Sequence, residues 1–485
     1  MNFEIQSTFE KTKSINQVFI LACLTFTVLF HKAGIGLNLA LFSLLLLTYW
    51  FARKKEAFKL TSVRIAAAAT VISALATTWY GTGDTILWTI ICLMVLSQFL
   101  HYPQGSMLFW ESKTLLRFIM APWYGMISLI GTDKSEGVEF RQTRIKKILV
   151  FLVLPLCFTL LFASLYQNLN PIFADYFKRT LDMIDFSLLI TIALGIAVIS
   201  IAILQVIPER ILLLDRLFGN NFNPEGTSSS PNNIERQGGI ILFSLLNITL
   251  FIFLLSDVFF LQDIWQGVAD EYAHYVHQGV GLLIFSIVIA TALILYYFRN
   301  AENALLPGRN ALKILAITWV FLNIGITCST AAKNLLYVGE YSLSLKRIGV
   351  FIYLLLALTG LVVTLVKLYK RKTNAFLIRQ VYWSFFILLT LNICIDWSTT
   401  VVRYNIHQHI KYGQELDWAY LLRMDTRTLP QVDAHRNEIK INDKKEQDEF
   451  RERLAFKRGE ATQYAPDWRE MHVARLYAQS YYIQP

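Results

Sequence analysis

Long apolar runs recur along this chain of 485 residues, and each is about as long as a bilayer's hydrocarbon core is thick. Only 16% of the residues are charged, against about 25% in a soluble globular domain. Backbone amides inside lipid must be hydrogen-bonded within their own segment, so we expect these runs to be helices. An outer-membrane barrel would show short alternating segments instead. The sequence therefore predicts an all-α, polytopic membrane bundle whose main partner is the lipid bilayer.

The apolar runs predict about eleven transmembrane helices. They lie near residues 17–31, 35–51, 63–80, 85–102, 148–166, 186–207, 238–261, 278–297, 312–332, 347–367 and 378–396. A further apolar stretch, 118–130, is interrupted by Pro122 and Gly125 and is short for a span, so we expect an interfacial or re-entrant piece. The membrane domain then covers residues 1–397, with a polar connector at 208–236, and a soluble tail covers 398–485.

Basic residues in the short loops predict the orientation of these spans. The richest loops hold Arg53, Lys54 and Lys55, then Arg141, Arg144, Lys146 and Lys147, then Lys370, Arg371 and Lys372. All three loops fall on one side of the predicted bundle, which is expected to be cytoplasmic. The N-terminus is then cytoplasmic, and an odd number of spans places the tail outside. Because these loops account for the formal net charge of +10, we predict no nucleic-acid partner.

The tail has the composition of a solvated, folded module, with positive and negative residues in nearly equal number. Asp467 and Glu470 stand at capping-box spacing ahead of an apolar stripe of Trp468, Met471 and Leu476. This pattern predicts a small helical tail that packs against the membrane domain. Such a tail could also dock an envelope protein.

No motif of a known catalytic or cofactor site occurs in the chain. There is no GxxxxGK[ST] run, no GxGxxG after a strand, no GxSxG elbow and no HExxH. The cysteines all fall inside apolar runs and are interpreted as small buried hydrophobes; they are Cys23, Cys92, Cys157, Cys328 and Cys394. We therefore predict no cofactor and, on balance, no enzymatic reaction.

One face of the ninth predicted span is polar. By helical spacing this stripe comprises Asn323, Thr327, Thr330, Asn334, Tyr337 and Tyr341, with Lys333 and Glu340 beside it. Polar residues in a span usually face the bundle interior or a watery cavity, so the stripe could line a substrate or ion path. Alternatively, it provides hydrogen bonds between helices, with Lys333 reaching the outer interface.

Acids and amides on the seventh and last spans form a second candidate cluster, in which the two spans could meet. Asn247 and Asp257 lie on the seventh span, and Asn392 and Asp396 share a face of the last one. A charge inside the bilayer needs a partner, so we expect the Lys333 ammonium to pair with Asp257, Asp396 or Glu340.

Histidines on the predicted outer side form a candidate metal site. Glu271, His274 and His277 are spaced by three, and His407 and His409 follow the last span. Imidazole and carboxylate groups bind zinc and similar ions. The spacing is not that of HExxH, and the alternative is that these are ordinary polar residues at the membrane edge.

Motifs in the second half carry a resemblance to a known family. They are YAHYVHQG at 272–279, YVGEYSLSLKR at 337–347, RYN at 403–405, LDWAYLLRMDTRTLP at 416–430 and DWREMHVARLYA at 467–478. Together with GIGLN at 34–38, their order and spacing resemble a bacterial polytopic membrane family filed as a domain of unknown function, number four-one-seven-three of that series. The resemblance implies a bacterial inner-membrane protein and implies no reaction.

Three classes of function remain open from the sequence. The long tail and the lack of catalytic motifs favour a structural or interaction component of the bacterial envelope. The number of spans and the polar stripe favour a transporter or channel, although the inverted repeats usual in secondary transporters are not visible. A membrane-embedded, metal-dependent enzyme is supported by the histidines alone.

Overall fold

The structure is a computed structural model. It describes residues 12–102, 185–203, 218–222, 233–265, 272–299, 310–441 and 443–483, with isolated residues between 107 and 178. These residues are mostly helical and contain no β-strand beyond an isolated antiparallel bridge between Asn221 and Lys372. The predicted all-α fold class is confirmed.

The membrane part consists of long apolar helices. They are α1 (Thr12–Phe30), α2 (Leu37–Arg53), α3 (Thr61–Tyr80), α4 (Gly83–His101), α5 (Phe186–Ile203), α6 (Asn233–Trp265), α7 (Tyr272–Tyr297), α8 (Asn310–Tyr341), α9 (Leu345–Lys370) and α10 (Asn374–Asn392). Within the described residues, 7 helices are long and apolar enough to cross a membrane, and α1, α2 and α7 contribute shorter apolar segments. The predicted count of about eleven is not confirmed. The expected span at 148–166 and the expected interfacial piece at 118–130 lie outside the described residues, apart from isolated positions.

Short polar residues and glycine set the helix ends. Thr82, Ser344 and Thr373 are the N-caps of α4, α9 and α10, and each accepts a hydrogen bond from the backbone N–H three residues further on. Gly81 ends α3 in the left-handed conformation, with φ 62°. Tight turns therefore join neighbouring membrane helices.

The membrane helices pack around two apolar cores. Buried residues of α1–α5, including Trp50 and Leu96, form the first, and buried residues of α6–α9, including Phe243 and Trp319, form the second. Helix α10 is linked to the first core through Phe386 and packs against α9 of the second half. The Trp88 indole also donates to Thr390 Oγ1 at 2.9 Å. Helix α10 therefore connects the two halves.

The tail is helical, as predicted, and has a core of its own. Its elements are α11 (Trp397–Tyr412), α12 (Trp418–Leu422), a 3₁₀ turn (Thr426–Thr428), α13 (Leu429–Ala434), α14 (Lys444–Thr462), a 3₁₀ turn (Trp468–Glu470) and α15 (Val473–Ile483). The core includes Val401, Leu421 and Phe450, and it is shared with Ile348 of α9. The tail therefore packs on the membrane helices.

The capping box predicted at Asp467 and Glu470 is present, but it does not begin a long helix. It caps the short 3₁₀ turn, after which Met471 is extended with ψ 141°. Trp468 is exposed, and Leu476 belongs to α15. The single helical stripe expected from Trp468, Met471 and Leu476 is therefore wrong, because a backbone turn separates its members.

The bundle has two distinct ends. The tail contacts the α1–α2, α3–α4 and α8–α9 turns, through hydrogen bonds to His31, Tyr80 and Leu343 among others, and we call this the tail end. At the opposite end lie Lys54 and Lys372, and we call it the basic end. Helix α4 ends at the basic end, whereas α5 begins at the tail end, beside Lys32.

Candidate functional site

The polar stripe of α8 faces the neighbouring helices rather than lipid. Asn323, Thr327, Asn334 and Tyr337 are buried, and Thr330 is half-buried. The stripe ends at the tail end of the bundle, where Glu340 and Tyr341 are exposed. The inward orientation expected from the sequence is therefore observed.

Most of the stripe is hydrogen-bonded to backbone. The Asn323 amide donates to the Trp319 carbonyl at 2.8 Å, and the Thr327 hydroxyl donates to the Asn323 carbonyl at 2.7 Å. The Asn334 amide crosses to α9 and donates to the Arg347 carbonyl at 3.1 Å. The first two bonds lie within α8, and the bond of Asn334 joins α8 to α9, as is expected of polar residues between packed membrane helices.

A buried ion pair adjoins the stripe. The Lys333 ammonium donates to Oδ1 of Asp257 on α6, and the Ser329 hydroxyl donates to Oδ2 of the same carboxylate. Only 6% of Asp257 is exposed, and the Phe260 ring lies 5.2 Å from the ammonium. A buried carboxylate is tolerated when it is paired and its oxygens are hydrogen-bonded. Of the acids predicted as partners for Lys333, Asp257 is the one in contact.

The other predicted members of the path lie elsewhere. Asn392 accepts a hydrogen bond from the Trp397 indole at 3.0 Å, and Asp396 caps α11 by accepting from Thr399 N–H at 3.1 Å. Asn247 donates to the Leu315 carbonyl at 2.9 Å, and this bond joins α6 to α8 away from the ion pair of Asp257 and Lys333. The meeting expected between the seventh and last spans is not observed, because α10 packs against α3 and α9 instead.

Of the predicted metal ligands, the structure describes the side chains of His407 and His409. Nδ1–H of His409 donates to the Gln414 carbonyl at 2.7 Å, and Nε2 accepts from the Lys440 N–H at 3.0 Å, so both ring nitrogens are engaged. His407 is exposed on the tail. Among the described residues, no three His, Cys, Asp or Glu side chains are placed to hold a metal ion. Glu271 and the side chains of His274 and His277 lie outside the described part, where the metal site stays a prediction.

The DWREMH segment of the tail docks on the α1–α2 turn, which carries the GIGLN motif. A Glu470 carboxylate oxygen accepts a hydrogen bond from Gly34 N–H at 2.5 Å. Arg469 donates to the carbonyls of Val28 at 2.7 Å and His31 at 3.0 Å, at the C-terminal end of α1. A Cβ on Gly36 would lie 2.7 Å from the Glu470 carbonyl carbon and oxygen, so this glycine permits the close approach. Two motifs more than four hundred residues apart therefore form one interface.

The same segment reaches the α3–α4 turn. The His472 imidazole is buried and donates through Nδ1 to the Thr77 carbonyl at 3.2 Å. Burial, reinforced by the charge of Arg475, lowers the pKa of His472. The neutral imidazole is thus the form that the interface favours.

Arg427 makes a buried charged contact in the interface. Its guanidinium is buried, donates to the Tyr80 carbonyl at 2.8 Å and lies 3.3 Å from Asp396. It also lies over the Tyr80 ring, 5.3 Å from the centroid. We did not predict Arg427 as a site residue. The LDWAYLLRMDTRTLP motif that contains it was the available signal.

A groove of about 740 Å³ opens on the tail between α11 and the segment around α13. Its polar lining comprises Thr400, Arg403, Tyr404, His407, Gln431, His435 and Glu438. Ile406 and Ile410 add apolar surface, and Arg403 donates to the Gln431 side chain at 3.2 Å. The groove thus offers a cation, an anion, an aromatic ring and aliphatic surface together.

A family model described as a domain of unknown function, DUF4153, matches residues 40–435. The matched range includes α11 and α13 of the tail and so crosses the boundary predicted at residue 397. The family number expected from the motifs, four-one-seven-three, is not confirmed. No curated protein and no solved structure matches the chain.

Proposed function

This chain belongs to the DUF4153 family of unknown function, and we propose that it is a structural or interaction component of the bacterial inner membrane. In this proposal the membrane helices anchor and position the tail. The groove of the tail binds an extended segment of an envelope protein. The N-terminus and the basic end lie in the cytoplasm, and the tail lies outside.

The observation that carries the proposal is a groove on a tail that is held firmly to the bundle. Arg427, Arg469 and Glu470 bond the tail to separate turns of the membrane helices. A binding surface presented on a supported module loses little conformational entropy when a partner binds. The mixed lining of the groove suits a polypeptide, which offers charges, amides and apolar side chains at short intervals.

The polar stripe supports this function more than transport. The Asn323 amide and the Thr327 hydroxyl donate to backbone carbonyls within α8, and the Asn334 amide donates to α9, so these donors are already satisfied by the protein. The groove on the tail is lined by other residues.

Ion-coupled transport is a second candidate, favoured by one observation. Asp257 and Lys333 place a buried carboxylate and an ammonium within membrane helices, where such pairs often mark ion or proton pathways. Transport requires that the pair open during turnover. A substrate-independent proton leak in Asp257→Asn vesicles, absent from wild-type vesicles, would favour this candidate over the first.

The orientation is tested with reporters fused after His409. A reporter active only outside the cytoplasm should be active there, and a reporter active only in the cytoplasm should be silent. The opposite pattern would place the tail inside and refute an outward-facing groove.

The groove is tested by site-specific photo-crosslinking in intact cells. A photoreactive residue at Tyr404 should give a discrete adduct with one envelope protein, and Arg403→Glu should reduce its yield because it reverses the charge of the lining. The matched control is Phe456, an exposed residue on α14 that lies outside the groove. Equal adducts from both positions, or none from Tyr404, would contradict the proposal.

A further inference from the structure

The last helix of the tail exposes an apolar face. Val473, Tyr477 and Tyr481 of α15 follow one another at intervals of four residues, so they lie on the same side of the helix. All three are exposed, Tyr477 to 66%. We call these three residues the α15 face. A contiguous exposed apolar surface of this kind marks contact with a membrane or with another protein.

The opposite side of α15 is fixed to the tail. Arg475, the one charged residue in the sequence of this helix, is turned to that side and pairs with Asp425 at 2.9 Å. The Gln479 amide donates to the Tyr464 carbonyl at 2.6 Å, and Ala478 is buried. The α15 face is therefore turned away from the tail core and contains no charged residue.

Helix α14 of the same tail presents a different surface. Most of its exposed residues are charged, as expected of a helix that faces water. Its exposed aromatic residue, Phe456, has the exposed acids Glu452 and Glu460 one turn away on either side. Within one small module, the surface of α14 suits water, and the α15 face suits a less polar environment.

Helix α15 begins at the end of a membrane span. His472, which precedes its first residue, donates to the Thr77 carbonyl of α3 and lies against Gly81. Leu75 and Trp79 are four apart and exposed on α3, so they form part of the side of this span that faces lipid. Trp79 stands two residues before Gly81. The start of α15 therefore adjoins the end of a lipid-facing surface.

A second contact holds the preceding segment at the same end of the bundle. Trp468 is exposed in the 3₁₀ turn whose residues Arg469 and Glu470 dock on the α1–α2 turn. Ile35 of that turn is also exposed. Tryptophan and tyrosine are enriched where hydrocarbon meets the headgroups, because their rings combine an apolar body with a hydrogen-bonding group. The segment from Trp468 to Tyr481 has both the residues and the position of a membrane interface.

We propose that α15 is an interfacial helix, which lies along the bilayer surface with the α15 face in the surrounding lipid. Such helices place an apolar face at the boundary between headgroups and acyl chains. Lipid is the occupant because the face continues from the lipid-facing side of α3. Since the face has no cation, zwitterionic lipid is sufficient. The proposal is independent of the tail groove and of the side of the membrane on which the tail lies.

The test uses the full chain, reconstituted in phosphatidylcholine vesicles. A photoreactive benzoylphenylalanine replaces Tyr477, and intact mass spectrometry after irradiation measures the addition of one lipid. The matched control has the same photoreactive residue at Phe456, which is also exposed and aromatic but lies between acids. A second pair of variants has the photoreactive residue at Tyr481, with and without Tyr477→Asp.

We expect lipid adducts at Tyr477 and Tyr481 in several-fold greater yield than at Phe456. Tyr477→Asp should reduce the yield at Tyr481 several-fold, because a carboxylate favours water over the lipid boundary. An adduct with a second chain or with another part of the same chain instead of lipid would overturn the proposal. So would equal lipid yields at Tyr477 and Phe456, no lipid adduct at either tyrosine, or a yield at Tyr481 that Tyr477→Asp leaves unchanged. If the variant at Tyr477 does not fold, the variant at Tyr481 decides against the same control.

Discussion

The imidazole of His472 lies directly against Gly81, so that a Cβ on this glycine would overlap the ring. Gly81 also has φ 62°, a conformation that costs other residues roughly 1–2 kcal/mol. The α3–α4 turn and the tail therefore meet at a position where glycine satisfies both the backbone and the contact.

Gly81→Ala should release the C-terminal segment of the tail. The added methyl group strains the turn by roughly 1–2 kcal/mol and displaces His472 from the Thr77 carbonyl. Limited proteolysis of the purified protein should then cut the chain after α14 faster than in the wild type. Gly83→Ala is the control, because a Cβ there meets no atom within 4 Å. Equal sensitivity in the two variants would refute the fit at Gly81.

Arg427→Met should destabilise the whole protein. The Tyr80 carbonyl and Asp396 lose a buried guanidinium, and removal of such a partner costs about 1–3 kcal/mol. The melting temperature in detergent should fall accordingly. Arg423→Met removes an exposed guanidinium from the same motif and should change it little. A melting temperature insensitive to Arg427→Met would show that the tail is not held by this contact.

Asp257 and Lys333 should be energetically coupled. Removing either partner leaves the other charge buried, whereas the double variant Asp257→Asn/Lys333→Met removes both, so its loss of stability should be smaller than the sum of the single losses. Contacting charged pairs typically give coupling energies of about 0.5–3 kcal/mol in such a cycle. The parallel cycle of Lys333→Met with Glu340→Gln, at an exposed acid, should be nearly additive. If the losses of stability in the Asp257 cycle were additive, the interaction between Asp257 and Lys333 would contribute nothing to the stability of the protein.

Docking of the tail should weaken on mild acidification. The pKa of His472 is lowered by burial and by Arg475, against the opposing Thr77 carbonyl, Asp425 and Glu470. Because the folded pKa lies below the ordinary value of about 6.5, the undocked form binds the proton more tightly. The contribution of His472 to the stability of docking should therefore be fully present above about pH 6.5 and be lost as the pH falls below that value.

Protease release of the tail between pH 7.5 and 5 measures this dependence. His472→Gln should flatten it, and His407→Gln, at an exposed position, should leave it unchanged. Asp425 affects docking in a different pH range. Its burial opposes ionisation, but hydrogen bonds from Arg475 and the Arg427 N–H lower its pKa, so its contribution is lost only below about pH 4. A dependence retained in His472→Gln would assign the effect to another group.

The apolar runs were sufficient to locate the described membrane helices, because a segment in lipid must satisfy its own backbone hydrogen bonds. Helical spacing also placed Asn323 and Thr327 on one inward face, since a polar stripe cannot face lipid. From the sequence, the candidate partners of Lys333 could be narrowed to three acids, but the sequence could not select Asp257 among them. Spacing along one helix reports which residues share a face and contains no information about which helix packs against it.

The sequence by itself determined the helical class, the apolar segments long enough to cross a membrane and the helical character of the tail. Only the tertiary structure brought Glu470 to Gly34, His472 to Gly81 and Arg427 to Tyr80. It also separated Asp396 from Asp257 and engaged both nitrogens of His409. Helical hydrogen bonds and the spacing of apolar side chains along a helix depend on residues near in sequence. Contacts between distant segments depend instead on the packing of the whole chain.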